Sequence, residues 1–316
     1  MAKQSPMDDR KTHLDGRAVA VIVVCCALWG LNQVATKVAL AEIPPLLQAA
    51  ARSLGAALLL ALWSRARGLV LWGPDGTTGP GLLAGLLFAA EFACIFIGLQ
   101  YTSASRMVVF IYMAPFVVAV GMPFIARHER LDGLQSLGLI VAFCGVVWAF
   151  FEGFATPAAG PLQWLGDALG LAAAVLWGLT TLVLRGSRLA TALPEKTLLY
   201  QLAVSGFALA AGSVIGGEHW PAQLSWRSLG PLAFQTVVVT FASYLAWFWL
   251  VRHYPATRLS AFTLLTPVFG LVAGVVLLGE AATPRLLAAL AAVSVGIALV
   301  NRGPTLRSPR SKETSR

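Results

Sequence analysis

One carboxylate stands deep in an apolar run of this chain: Glu91, in LLFAAEFACIFIG. An ionised side chain at the centre of a bilayer costs about 2.5–3.5 kcal/mol on insertion scales, so its default reading is functional. Such a group can meet the ammonium of an amine or carry a proton. A plainer reading is a protonated acid bonded to a neighbouring helix. A second polar set interrupts an earlier run, CALWGLNQVATKVAL. At ~100° per residue Trp29, Asn32, Gln33, Thr36 and Lys37 fall within about 140° of one helix face. That face would be costly against lipid, so it must meet protein or water. It either lines a cavity for a polar solute or bonds one packed helix to another, at about 0.6 kcal/mol per hydrogen bond.

The same pattern returns 148 residues later, where Trp177, Thr180, Thr181 and Arg185 take the places of Trp29, Asn32, Gln33 and Lys37. Further along, QTVVVTFASYLAWFWL sets Thr236, Thr240, Ser243 and Trp247 on one α-helical face, with Tyr244 beside them at an offset of 153 from Glu91. Ser260 and Thr263 form a similar face with Pro267 and Gly270, and Tyr112 stands near Pro115. These residues are expected to complete a substrate cavity. Pro115 and Pro267 each remove a backbone donor, so each is expected to kink its span and is a candidate hinge. Lys37 and Arg52 fall toward one end of their spans. They either snorkel to the headgroups or capture a carboxylate at the outer mouth.

The elements that must hold these groups are membrane helices. Of 316 residues, 58% are hydrophobic and 12% charged, and mean hydropathy is +0.75. Apolar runs of about 20 residues, each long enough to cross ~30 Å of hydrocarbon, recur along the chain. With no water to satisfy the backbone there, such runs must be helices. Ten spans are expected, at 18–41, 45–63, 80–101, 104–126, 131–151, 166–186, 197–216, 228–250, 257–279 and 283–301. No cleavable signal is evident in the polar residues 1–17. Of the 23 Lys and Arg residues, 18 fall on the side of the N-terminus, three on the other side and two within spans. The positive-inside rule therefore places both termini in the cytoplasm. The net charge of +9 is absorbed by this orientation, and no nucleic-acid partner is expected. The four cysteines all lie in apolar runs without metal-ligand spacing, so neither a metal nor a cofactor is expected.

Other echoes keep nearly the same offset: APFVVAVGM (114–122) with TPVFGLVAG (266–274), and Glu129 with Glu280. The chain divides into a cytoplasmic tail (1–17), a five-span repeat (18–151), a connecting loop (152–165), a second repeat (166–301) and a basic tail (302–316). Five is odd, so the second repeat must enter the membrane from the opposite side. Inverted repeats around a central site are the pattern of secondary transporters. The segments ALWGLNQVATKVAL, GLQYTSASRMVVFIYMAPFVVAV and LLGEAATP resemble the EamA-type members of the drug/metabolite transporter superfamily, most closely the YddG-like amino-acid and metabolite exporters. That family opens each half with a Trp-Gly pair, carries a Pro in each fourth span and closes that span with Gly-Glu. Gly279–Glu280 fits, whereas His128 replaces the first-half glycine before Glu129.

The resemblance implies a carrier that exports small metabolites, amino acids or amines, across a bacterial inner membrane, as a monomer or weak homodimer. Proton coupling is an open option. The rivals are a lipid-linked cargo flippase, a channel-like facilitator and a membrane enzyme. The enzyme rests only on the His-x-x-x-Asp spacing of HERLDG (128–133), a short turn with no domain to form a pocket around it. The four GxxxG matches (81–85, 166–170, 212–216, 270–274) are expected to serve close helix packing, and spans five and ten, which lack a polar stripe, to lie at the periphery.

Overall fold

The computed structural model describes residues 15–71, 73, 75–125, 133–155, 157–254, 259, 262–263 and 265–300. Among them all regular structure is helical, and the protein is an all-α polytopic membrane protein. Span one is α1 (Gly16–Ala39), span two α2 (Pro45–Ala66) and span three α3 (Thr78–Gly98). Span four is two helices, α4 (Ala104–Ile111) and α5 (Ala114–Ile125). Then come α6 (Gly133–Ala155), α7 (Gln163–Gly186) and α8 (Pro194–Ile215). Span eight runs from α9 (Trp226–Ala233) through a π-helix (Phe234–Ser243) into α10 (Tyr244–His253). The last two are α11 (Leu265–Leu278) and α12 (Pro284–Val300). Eight spans are long and apolar enough to cross a bilayer, and the last two are shorter apolar helices. Large apolar side chains such as Leu58, Leu62, Phe143, Trp148, Phe151 and Val276 point outward, as a lipid-facing surface requires.

Contacts between turns sort the chain onto two ends. At the end where α1 finishes, Lys37 donates to the Thr102 carbonyl, and Glu218 accepts from the backbone N–H groups of Leu46 and Leu47 at 3.1 and 2.8 Å. Glu42 accepts from Ser225 there. At the end where α1 begins, Asp15 accepts from the Tyr254 hydroxyl at 2.9 Å and Asp75 pairs with Lys196 at 2.7 Å. The Lys196 bond, with help from Thr77, holds the Asp75 carboxyl well below the usual carboxylate range. A depressed value means that the brace is fully present above the ordinary carboxylate pKa and weakens only in strong acid. α1 thus enters from one end and α7 from the other. Helix pairs also come in mates under exchange of the halves: α3 with α7 against α1 with span eight, and α1 with α11 against α7 with α4 and α5. α2 with α8, and α6 with α12, pair with themselves under that exchange.

The Trp-Gly pairs acquire a physical reason in those crossings. A Cβ on Gly30 would lie 2.5 Å from the Gly270 nitrogen and 2.8 Å from the Thr266 oxygen, both backbone atoms. A Cβ on Gly178 would lie 2.6 Å from the Val117 side chain. Each glycine lets its helix lie against the proline-bearing helix of the other half. The prolines themselves correct the expectation of kinked continuous helices. Span four is already broken at Tyr112–Met113, and Pro115 and Pro267 both sit in the first turn of a helix, where a missing N–H removes no intrahelical bond. The glycine of Gly279–Glu280 has φ of 66°, the left-handed conformation that ends helices. The Glu280 carboxylate then caps α4, accepting from the N–H groups of Ala104 and Ser105 at 2.7 and 2.9 Å. An anion at a helix N-terminus is stabilising.

Candidate functional site

The polar face of α1 is buried as its periodicity requires. Asn32, Gln33 and Thr36 are all inside. The Thr36 hydroxyl is shared between the Asn32 carbonyl at 2.8 Å and the Gln235 side-chain oxygen at 3.1 Å, and Gln48 reaches both Thr36 O and Gln235. Gln235 joins this cluster because span eight is a π-helix there. Wider turns shift which residues share a face. Gln235, Val239, Thr240 and Ser243 are buried and Thr236 only half so, which corrects the α-helical face drawn through Thr236. Thr236 instead bonds its own helix at Leu232.

Glu91 is 5% exposed and Arg52 fully buried. The Arg52 guanidinium lies on the Phe92 ring, 3.8 Å from its centroid, within electrostatic reach of Glu91 and Tyr244. Snorkelling is therefore excluded for Arg52, because aromatic stacking and a carboxylate hold it inside. Lys37 stays at the end of its span, partly exposed, where it meets the Thr102 carbonyl and Glu280 at 3.7 Å.

Around these residues many buried polar atoms have no partner: Asn32 Oδ1, Gln33 Oε1, Gln48 Oε1, Arg52 Nε and Nη2, Glu91 Oε2, Gln235 Nε2 and Thr240 Oγ1. Buried groups left unpaired cost about 1–3 kcal/mol each. Such a concentration marks a place that water or a ligand can complete.

The tryptophans are not brought to one wall. Trp29 donates to Ser243 Oγ at 2.8 Å and meets Trp247 edge-on at 5.6 Å, whereas Trp177 meets Tyr112 edge-on at 5.8 Å. Thr180 and Thr181 donate to the Leu176 and Trp177 carbonyls of their own helix. Thr263 is half-buried, two residues before α11. Ser260, His128, Glu129 and most of both tails lie outside the described residues.

A cavity of about 450 Å³ lies elsewhere, at the end where α1 finishes, lined by Lys37, Arg106, Glu152, Gln163, Glu280 and Thr283 among others. Beside it sits a buried ion cluster that the sequence did not reveal. Arg106 reaches Asp167 through Nε at 3.1 Å and Nη2 at 2.6 Å, and Glu152 through Nη1 at 2.8 Å. Thr102 and Thr283 donate to Asp167 and Glu152. The available signal was the span-end position of all three charges. Among the described residues no group of His, Cys, Asp and Glu is arranged to hold a metal.

This geometry coincides with a family match. The EamA-like transporter family fits the chain twice, over residues 16–151 and 164–302. The protein belongs to that family and is a membrane transporter of the drug/metabolite class. It is 30% identical to an uncharacterized transporter, YvbV, of Bacillus subtilis, over 90% of this chain and 92% of that one. A Salmonella typhimurium protein named "Probable amino-acid metabolite efflux pump" is 27% identical over 90% of this chain and 93% of its own. One solved structure superposes with a TM-score of 0.63 over 90% of this chain and 97% of the other, at 20% identity. That likeness establishes fold.

Proposed function

We propose that this protein is an alternating-access carrier that exports small metabolites, amino acids first among them, across a bacterial inner membrane with both termini in the cytoplasm. The observation that carries the reading is the set of unpaired polar atoms buried between α1, α2, α3 and span eight. A site of that kind lies within membrane-spanning helices and is rich in both donors and acceptors, which suits a small polar solute. Two oppositely entering halves, matched separately by one family model, supply the symmetry by which such a site can open to either face in turn. The name of the Salmonella relative favours amino acids. Glu91 then meets a cationic group or a coupling proton. Trp29 with Trp247, and Trp177 with Tyr112, form two aromatic pairs along the route.

Uptake into proteoliposomes of a panel of amino acids, amines and sugar phosphates, with and without a pH gradient, tests this. Saturable flux with counterflow for amino acids is expected. Non-saturating conductive flux would mark a channel, and movement of lipid-linked cargo alone would mark a flippase. In the same assay Pro115→Ala and Pro267→Ala should slow turnover if the break in span four and the first turn of α11 act as hinges. Wild-type rates in both variants would remove that role.

A further inference from the structure

Two arginines among the described residues are buried, and their surroundings differ in one respect. Arg106 presents its Nε and Nη2 donors together to the carboxylate of Asp167. Those two N–H groups are parallel and match the two oxygens of a carboxylate, the side-on fork that distinguishes Arg from Lys. In Arg52 the same two atoms, Nε and Nη2, are buried without a partner. The side chain is fully enclosed, and its guanidinium carbon lies over the Phe92 ring, 3.8 Å from the centroid, with the Phe96 ring at 5.4 Å. These ring contacts hold the guanidinium in place and give the Nε–Nη2 edge no hydrogen-bond acceptor.

Glu91, the acid within electrostatic reach, does not fill the edge: its Oε2 is also unpartnered. A cationic fork and an anionic acceptor thus lie at neighbouring positions of α2 and α3, each with an unused valence. Closing directly on each other would satisfy both, and the structure shows them apart. A molecule bearing a carboxylate and an ammonium group would satisfy both at once.

We propose that the Nε–Nη2 edge of Arg52 binds the carboxylate of the transported solute, so that the site selects zwitterionic amino acids over amines and amides. This deepens the transporter reading and rests on it. The occupant carries a single negative charge rather than the two of a phosphate or phosphonate dianion, because, among the described residues, Arg52 is the one cation whose donors are buried without a partner there and no second cation stands ready for a second charge.

The test uses full-length protein in proteoliposomes with leucine and phenylalanine, their carboxamides and their decarboxylated amines, plus the phosphonate analogues as competitors. Wild type should carry each acid at least about tenfold faster than its amide, with phosphonates competing poorly. Arg52→Gln should bring that ratio to about one, and Arg52→Lys, which keeps charge without the fork, should give an intermediate ratio. A ligand-induced rise in melting temperature, measured with the acid and the amide, should follow the same order. Equal wild-type rates for acid and amide, or an Arg52→Gln variant that scales every rate alike, would overturn the proposal and leave the transporter reading standing. If Arg52→Gln fails to fold, the wild-type ratio and the Lys variant decide. Wild type that moves nothing in the wider panel would instead overturn the transporter reading itself.

Discussion

Arg106→Met should cost the protein about 3–5 kcal/mol of stability, because removing the cation leaves two carboxylates buried without compensation. Arg106 is 4% exposed and bridges α4, α6 and α7 through Asp167, Glu152 and the Ala149 carbonyl. The expected readout is a large fall in melting temperature in detergent and loss of the monodisperse peak on size-exclusion chromatography. Neutralising the acids in the same chain, with Asp167→Asn and Glu152→Gln, should recover much of the loss, since the penalty belongs to the unpaired charges. A melting temperature for Arg106→Met close to wild type would show that water reaches the cluster and that it does not brace the fold.

Glu91→Gln should reduce flux of amine-bearing solutes by about ten- to a hundredfold at equal expression. The replacement keeps the volume and the acceptor oxygen but removes the charge, and a hydrogen bond to a charged group is worth about 1.5–3 kcal/mol. Glu91 is buried in α3 with Oε2 unpaired and is the acid within electrostatic reach of the buried Arg52, so its neutralisation should lower the melting temperature modestly as well as the flux. Adding Arg52→Gln should restore the melting temperature but not the flux, which separates a binding role from a packing one. Wild-type flux in the Gln variant would remove Glu91 from the mechanism.

The spans were readable because length and apolar content decide them. Within about four residues nine of the ten spans fall where the runs do, whereas in span nine the described helix begins at Leu265, eight residues after the expected start; the break at Tyr112–Met113 adds a division that a hydropathy pattern does not mark. The face of α1 was readable for the same reason, since Asn32, Gln33 and Thr36 follow an undistorted 3.6-residue period and are all buried. Span eight escaped that logic. Its π turns brought Gln235 into the cluster and turned Thr236 toward its own backbone, and no side-chain pattern signals a change of helical pitch. The Arg106 cluster was hidden by distance: its partners stand 46 and 61 positions away, and each charge taken singly sits at a span end, where charges are ordinary. Arg52 was misleading for a related reason. Its depth fits a snorkelling side chain, and only the position of Phe92 on its own neighbouring helix shows that it turns inward.

Gly-Glu is the instructive middle case. Its presence at the end of span nine was plain in the sequence, but its purpose was not. The Gly279 turn aims Glu280 at the N-terminus of α4 and at Lys37. A segment of the second half thereby fastens two helices of the first.

The most direct test of the buried polar site as a solute site is thiol accessibility at its centre. In a cysteine-free background, Asn32→Cys would be challenged with a membrane-impermeant thiol reagent from each side of the membrane, with and without a transported amino acid. The expected result is labelling from either side that the amino acid suppresses. A transport-competent Asn32→Cys protein that is labelled from neither side, or labelled without regard to the solute, would mean that these polar atoms only pack helices together.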